Sequence, residues 1–301
     1  MKKVKIGLLF AIISPILSTL ATVFLAGATK LLTPLLAASI SGIVGSAIIL
    51  AYMKLTKHKI DIRKIRKNRK DLGIMTLLRG TLGIAIFTYG LSMTDAIKAI
   101  FFTKVEPYFV LIFHWLLLKE KVKKHHLALL TVHVFGAILL STGGNFTSFG
   151  KAQLGDFLVI LTMGIFALSY IYGRKLSVRL GAKISNTVMI GMGGLILMPI
   201  ALAISPTNIT HFPTLGWGYL LLNIVLFNVL GLTLWFASLK SVKGWMVSAL
   251  RSVGPIVGAP LAFIIFGVPL TIVQIIGAGI VTATSALIAR EHLKKESKKR
   301  K

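Results

Sequence analysis

The chain has 301 residues and a formal net charge of +27; 55% of its residues are hydrophobic and only 14% are charged. Soluble domains carry about 25% charged residues, so this composition leaves too little polar surface to coat a globule in water. Cysteine is absent, which excludes a disulfide framework and a thiolate metal site. The basic residues fall between apolar blocks rather than on a soluble domain, which argues against nucleic acid as a partner.

The apolar residues form blocks of about 20, the length that a helix needs to cross a hydrocarbon layer about 30 Å thick. A helix closes its own backbone hydrogen bonds where no water is present, and the blocks are too long for the strands of a membrane barrel. The sequence therefore predicts an all-α membrane protein with ten transmembrane helices. The predicted spans are 6–27, 34–53, 73–92, 97–118, 126–143, 154–172, 184–204, 216–238, 245–267 and 271–289.

Two segments of the first half need an interpretation beyond that of a simple span or a short loop. The N-terminus, with Lys2, Lys3 and Lys5 before an apolar run, resembles a signal peptide. Its apolar run is longer than the 7–15 residues usual for a signal, so we interpret it as a retained first helix. The link from Lys54 to Leu72 is long and highly basic, and it predicts a helix lying on the membrane surface.

The distribution of lysine and arginine predicts the orientation, because positively charged loops stay in the cytoplasm. With the N-terminus inside, 29 of the 35 basic residues lie in cytoplasmic segments. Only Lys30, Lys98 and Lys151 lie outside, and three more lie within helices. The sequence thus predicts a multi-pass protein of the cell membrane with both termini cytoplasmic. Most of its charge would then lie beside the anionic lipid of the inner leaflet.

The two halves of the chain repeat. Leu91–Pro107 and Leu239–Pro255 both run from a helix end, through a tight link, into a helix with a central proline. The register is 148 residues and carries Pro107 onto Pro255. Each half contains five predicted helices, so the halves enter the membrane from opposite sides and form an inverted repeat. The predicted units are 1–148, 149–289 and a basic cytoplasmic tail, 290–301. In transporters of this design the substrate lies near the midplane between the repeats.

At these residues the sequence resembles the drug/metabolite transporter superfamily, specifically an EamA-like ten-helix transporter. The family pattern is a small-residue start, a mid-helix proline, and an acidic residue at the helix end. In the first half it is carried by Ala96, Ala99, Pro107 and Leu118-Lys119-Glu120, and in the second by Gly244, Ala249, Pro255, Gly267-Val268-Pro269, Gln274 and Gly277. The second half departs at Val268, where the acidic residue is expected. The resemblance implies ten helices, a central cavity and alternating access, and leaves the substrate open.

The fourth span supplies the first candidate site residues. A charge inside a bilayer is costly and usually faces a cavity or a partner. Glu106 lies about nine residues into its span, near the midplane, and could bind a substrate amine, carry a coupling proton, or form a structural ion pair with Arg79 or another basic residue. Pro107 follows and predicts a kink. Lys104 lies about 200° around a regular helix from Glu106 and shares a face with Tyr108.

Other spans supply the remaining candidates. Arg251 lies one turn before Pro255, the second predicted hinge, and could bind a carboxylate or a phosphate through its planar fork. Arg79 lies in the third span, and both arginines could instead extend to the cytoplasmic interface. Asn228 and Trp235 are weaker candidates, because an asparagine can simply hold helices together and a tryptophan can pack in the core.

The function predicted from these features is a secondary transporter for a small polar or amphipathic metabolite. No zinc motif, phosphate-binding loop or catalytic constellation is present in the sequence, so we expect no enzyme activity, no metal and no cofactor. Three alternatives stay open: a flippase for lipid or lipid-linked sugar, an intramembrane enzyme acting on lipid, and a membrane scaffold without transport.

Overall fold

The computed structural model describes residues 2–94, 99, 102–119, 124–144, 154–204, 213–254 and 271–298. Over these residues the fold is helical, without a strand. Its helices are α1 Lys2–Leu31, α2 Pro34–Leu55, α3 Ile62–Lys67, α4 Arg69–Ser92, α5 Glu106–Leu118, α6 Lys124–Thr142, α7 Leu154–Leu180, α8 Ala182–Ile204, α9 Thr214–Leu239, α10 Gly244–Leu250 and α11 Ile272–Lys298.

Six of these helices are long and apolar enough to cross a membrane: α1, α2, α4, α7, α8 and α9. Shorter apolar helices coincide with the predicted spans 97–118, 126–143 and 271–289. The ninth predicted span, 245–267, is described only over its first residues, in α10. The prediction of an all-helical protein with several membrane-spanning segments is therefore confirmed. Four predicted features lie outside the described residues: Ala96, Glu120, Pro255 and residues 267–269.

Several helices are longer than the apolar blocks that predicted them. The sixth span was predicted to end at residue 172, but α7 continues to Leu180. The helix α11 likewise continues to Lys298, so most of the predicted tail is helical. Lysine, arginine, glutamate and leucine are good helix formers, and a helix that has already nucleated extends at little cost. Hydropathy marks where the apolar face ends and not where the backbone stops being helical.

The basic link between α2 and α4 contains the predicted short helix, α3. The helix begins after Asp61, whose side chain accepts a hydrogen bond from the backbone N–H of Lys64 at 3.1 Å. None of the residues of α3 is buried. Nearby, Asp71 accepts hydrogen bonds from Lys175 at 2.7 Å and from Arg179 at 3.3 Å. These pairs fix the start of α4 against the end of α7.

The element boundaries recur at a spacing of 148 residues. The helices α2 and α8 begin at Pro34 and Ala182. Both α4 and α9 contain an eight-residue π-helical stretch, Thr76–Gly83 in one and Ile224–Gly231 in the other. These two stretches are also 148 residues apart. Such stretches interrupt the regular hydrogen-bond ladder and are frequent at functional sites.

Each half also contains a break in a helix, which lies before α5 in the first half and after α10 in the second. The backbone turns at Lys104 and Val105 before α5 begins at Glu106, with Pro107 in its first turn. In the second half a 3-10 turn, Arg251–Val253, follows α10. Proline lacks an N–H and clashes with the carbonyl four residues earlier, so the helix is broken upstream of it. The predicted kink at Pro107 is therefore an interruption of the helix.

The contacts between helices are exchanged between the two halves. The helix α1 packs on α9, and its counterpart α7 packs on α4. In the same way α7 packs on α5, and α1 packs on α10. Two counterpart pairs pack on each other: α2 on α8, and α6 on α11. Glycines allow the closest approaches between these helices. A Cβ at Gly193 would lie 2.1 Å from the carbonyl oxygen of Gly80, and one at Gly194 would lie 2.6 Å from that of Ser39. Both are backbone contacts, which larger residues would force apart.

Candidate functional site

A cavity lies between α1, α4, α7, α9 and the two broken segments, with Lys104, Glu106 and Arg251 in its wall. Its volume is about 100 Å³ as reached by the centres of water molecules. A site needs only about 10–15 Å³ by this measure to hold one water, so the cavity has room for several. The apolar part of its wall includes Leu25, Phe87, Leu91, Met163 and Phe227. The cavity therefore combines a charged region with an apolar one.

Both oxygens of the Glu106 carboxylate are engaged. Arg251 donates from Nη1 to Oε1 at 3.2 Å and lies 3.2 Å from Oε2. Tyr170 donates to Oε2 at 3.2 Å, and Ser248 donates to the same oxygen at 3.4 Å. Glu106 is 2% exposed, and a buried charge is stabilised when it is paired and hydrogen-bonded. The structure thus shows Arg251, and not Arg79, as the ion-pair partner of Glu106.

The local backbone explains why Ser248 and Arg251 reach the same carboxylate. They are three residues apart at the end of α10, so their side chains lie on one face. The break after α10 is held against α1 at Gly254, where a Cβ would lie 2.1 Å from Oγ1 of Thr19. In α1, Thr19 donates to the carbonyl oxygen of Pro15 at 2.9 Å. A larger residue at 254 would therefore push the Arg251 segment away from α1.

Lys104 and Glu106 line the same cavity, although a regular helix would place them on different sides. The interruption at Lys104 and Val105 removes the 200° separation that regular geometry implies. Lys104 is 7% exposed. Within the described residues its ammonium group has no hydrogen bond and no ion pair with a carboxylate. Lys104 is thus a buried cation in the cavity wall. Glu106 lies in the same wall, but within the described residues no carboxylate pairs with Lys104.

Arg79 lies in the π-helical stretch of α4 and is held by aromatic rings. Its guanidinium carbon is 4.4 Å from the ring centre of Phe166 and 4.3 Å from that of Trp235, and Nη1 donates to Ser169 Oγ at 3.1 Å. It is 4% exposed, so it does not extend to the interface. Arg79 lines a second, smaller cavity of about 30 Å³ together with Asn228. Cation–π contacts of this kind are strongest where water is excluded.

The remaining candidate residues mainly make packing contacts and hydrogen bonds with neighbouring helices. Trp235 meets the Tyr170 ring edge-on, with 5.1 Å between ring centres, and is 2% exposed. The backbone carbonyl of Asn228 accepts a hydrogen bond from Asn186 at 2.7 Å, which joins α8 to α9. Tyr108 packs against the apolar core and is absent from the described lining of both cavities. Pro107 lines the main cavity, whereas its predicted counterpart Pro255 is not among the described residues.

Three residues of the site were missed in the sequence. Tyr170 and Ser248 complete the hydrogen bonds of Glu106, and Phe166 lines both cavities, as Ile84 and Phe227 also do. Ser169 and Tyr170 are adjacent polar residues within a mostly apolar span, a signal that could have indicated Tyr170. Phe166 carries no such signal among the chain's 17 phenylalanines. Among the described residues, no three histidine or acidic side chains converge as metal ligands would.

The model of the EamA-like transporter family matches this chain twice, over residues 5–142 and 153–290. The chain belongs to the EamA-like transporter family. The two EamA matches are offset by 148 residues at both ends, the same spacing at which the helix boundaries recur. The resemblance in the sequence is thereby confirmed, and with several membrane-capable helices it identifies a multi-pass membrane protein.

Relatives with transporter names cover much of the chain. An uncharacterized transporter of Methanothermobacter thermautotrophicus is 27% identical over 75% of this chain and 66% of its own length. The uncharacterized transporter YetK of Bacillus subtilis is 26% identical over 69% of this chain and 65% of its own. The matches thus span just under two thirds of these two relatives. The uncharacterized inner membrane transporter YedA of Escherichia coli is 22% identical, over 85% of this chain and 81% of its own.

A solved crystal structure shares the fold. It superposes with a TM-score of 0.75 over 95% of this chain and 98% of the other, at 14% identity. At that identity the likeness concerns the path of the backbone alone.

Proposed function

We propose that this EamA-like protein is a secondary transporter that moves a small polar or amphipathic metabolite across the cytoplasmic membrane. Ten helices, arranged as two inverted five-helix repeats, would alternate access to the cavity that contains Glu106, Lys104 and Arg251. The units would be 1–148 and 149–289, with both termini cytoplasmic.

The contact between Glu106 and Arg251 carries this proposal. It joins the first half of the chain to the second, across 145 residues of sequence, at the wall of a cavity. Two charges buried only for stability gain little over a well-packed apolar pair. A carboxylate that ties the two halves together and can be protonated or displaced by a ligand provides a contact that breaks and forms during transport. Glu106 is thus the proposed carrier of a coupling proton.

The repeated boundaries support the inverted arrangement. Paired π-helical stretches, paired helix breaks and exchanged contacts are expected when two similar units are related by an approximate two-fold axis. An axis in the membrane plane follows if each unit crosses the membrane five times. In transporters of this kind the substrate site is formed by interrupted helices near the midplane. Lys104 and Arg251 each lie at an interruption of a helix, which supports a substrate site there.

Flux into vesicles tests the proposal. We expect purified protein in proteoliposomes to enrich at least one compound from a defined mixture of amino acids, sugars and organic acids, measured by mass spectrometry against empty vesicles. Enrichment of no compound would refute transport. Chemical conversion of lipid would instead indicate an enzyme, and transfer of labelled lipid between leaflets would indicate a flippase.

The variant Glu106→Gln tests the role of the carboxylate. The amide keeps the size and can still accept hydrogen bonds from Tyr170 and Ser248, so we expect near-normal folding with flux abolished or uncoupled from a proton gradient. The matched control Asp61→Asn replaces an exposed acid at the start of α3 and should leave flux unchanged.

The opposite pattern would favour a structural ion pair. Breaking a pair that serves only stability leaves a buried charge and costs about 3–5 kcal/mol. A large loss of thermal stability in Glu106→Gln, measured on the same purified sample, would therefore argue for that role. Normal stability with unchanged flux would remove Glu106 from the mechanism.

A further inference from the structure

The charges in the wall of the main cavity do not balance. Among the described residues its lining contains two cations, Lys104 and Arg251, and one carboxylate, Glu106. Arg79 adds a third cation in the small cavity, which shares the wall residues Ile84, Phe166 and Phe227 with the main cavity. The surplus is therefore one positive charge in the cavity wall, and two when the adjoining cavity is included.

The hydrogen bonds show which cation carries the surplus. Glu106 already accepts from Arg251, Tyr170 and Ser248, so both of its oxygens are occupied. Arg79 is enclosed between two rings and bonded to Ser169. Lys104 is the cation of this group with no hydrogen bond from its ammonium in the described part of the chain. A buried charge without a partner is costly, so the site is incomplete with respect to an anion.

Building on the proposed transport function, we infer that the cavity binds a small organic anion, with its carboxylate or phosphate group between Lys104 and Arg251. Arg251 engages Glu106 through Nη1, and a guanidinium has five N–H donors, so it keeps donors for a second acceptor. Charge-assisted hydrogen bonds of this type are among the strong ones in proteins. An amine, by contrast, would meet two cations and a carboxylate that already accepts three hydrogen bonds.

The rest of the wall defines the rest of the ligand. Leu25, Phe87, Leu91 and Met163 supply the apolar part of the lining, beside the polar side chains of Ser18, Thr19, Thr22 and Asn223. These four polar side chains already donate to backbone carbonyl oxygens, so the lining favours an apolar chain or ring over a sugar, whose hydroxyl groups would each need a partner. The inferred substrate class is therefore an amphipathic acid or phosphate ester, which is narrower than the metabolites proposed above.

A matched series of five-carbon probes tests the inference on the purified full-length protein. The probes are pentanoate, pentyl phosphate, pentylamine and pentan-1-ol, titrated to about 10 mM, well into the range of weak binding. We expect saturable binding by calorimetry of at least one of the two anions and none of the amine or the alcohol. Pentanoate and pentyl phosphate separate the two acidic groups. Equal binding of the alcohol, preferred binding of the amine, or no anion binding would overturn the inference.

Substitutions at Lys104 connect the binding to the proposed site. We expect Lys104→Met to weaken anion binding by about 10- to 100-fold, the range expected for one charge-assisted hydrogen bond. Lys104→Arg should keep binding within a few-fold. The matched control Lys183→Met removes a cation that lies over the Tyr52 ring, and it should bind the anion like the wild type. If Lys104→Met does not fold, Lys104→Gln replaces it, and the same loss of anion binding is expected. The probe series on the wild type tests the anion preference independently of any variant.

Two further measurements separate this inference from the transport proposal. Anion binding that depends on Lys104, without flux in proteoliposomes, would leave the anion site standing and refute transport. Flux of a neutral or cationic compound, without binding or competition by the anions, would refute the anion site and leave transport standing. Stabilisation by phosphatidylglycerol micelles but by neither soluble anion would assign the site to a lipid headgroup and overturn the inference of a small soluble ligand.

Discussion

At the scale of single residues, the cost of burying charge was the most useful guide to the site. It singled out Glu106, Lys104, Arg251 and Arg79 from the sequence, and all four line a cavity in the structure. Their partners could not be predicted in the same way. Tyr170 meets Glu106 across 64 residues of sequence, and such a contact depends on how α5 and α7 pack, which no local pattern encodes.

Arg79 provides a prediction at this scale. Its planar guanidinium lies between the rings of Phe166 and Trp235, and an ammonium group cannot stack in this way. We expect Arg79→Lys to lower the free energy of unfolding by about 1–2 kcal/mol, the size of a desolvated cation–π contact. Thermal denaturation of the purified protein measures this change.

The control for Arg79→Lys is Arg179→Lys. Arg179 bonds Asn68 and Asp71 near the surface, with more than half of its side chain exposed. Exposed pairs contribute about 0–1 kcal/mol, so this variant should denature like the wild type. Equal effects of the two substitutions would show that the aromatic pair contributes nothing specific to Arg79.

At the scale of elements, the 148-residue register was readable from the sequence because prolines and tight links mark it. The same register relates the beginnings of α2 and α8. The π-helical stretches of α4 and α9 were not predicted, since neither contains a proline and no local residue pattern specifies them. Each packs closely on a neighbouring helix, so their geometry reflects packing between elements.

The approach of α4 to α8 at Gly80 and Gly193 provides a prediction for elements. A methyl group at Gly193 would lie 2.1 Å from a backbone oxygen, so the two helices would have to separate. We expect Gly193→Ala to destabilise the protein by about 1–3 kcal/mol, as overpacking commonly does. Flux should also fall, because Gly80 adjoins Arg79 in the π-helical stretch.

The matched control is Gly164→Ala in α7. A Cβ there would have no atom within 4 Å, and alanine is favoured over glycine inside helices by about 0.5–1 kcal/mol. Thermal denaturation should show this variant as stable as the wild type or more so. A neutral Gly193→Ala would mean that α4 and α8 are free to separate without loss.

At the scale of the whole molecule, orientation is the feature that charge alone predicts. The positively charged segments are predicted to face the cytoplasm, and every helix boundary enters that assignment, since one miscounted span would exchange the two sides for all that follow. The structure adds one observation that concerns the orientation. The ion pairs of Asp71 with Lys175 and Arg179 bring two predicted cytoplasmic segments together at one end of the bundle.

Labelling of single cysteines tests the orientation, and the chain is suited to it because it has no cysteine of its own. We expect Lys57→Cys and Arg179→Cys in intact cells to resist a maleimide that cannot cross the membrane and to react after permeabilisation. Phe149→Cys and Asn208→Cys should react in intact cells. Five predicted helices precede Phe149 and seven precede Asn208, so both residues lie outside when the N-terminus is cytoplasmic. Labelling of all four from one side would refute the ten-helix count, and reversal of all four would keep the count but invert the orientation, so that the basic segments would face away from the anionic leaflet.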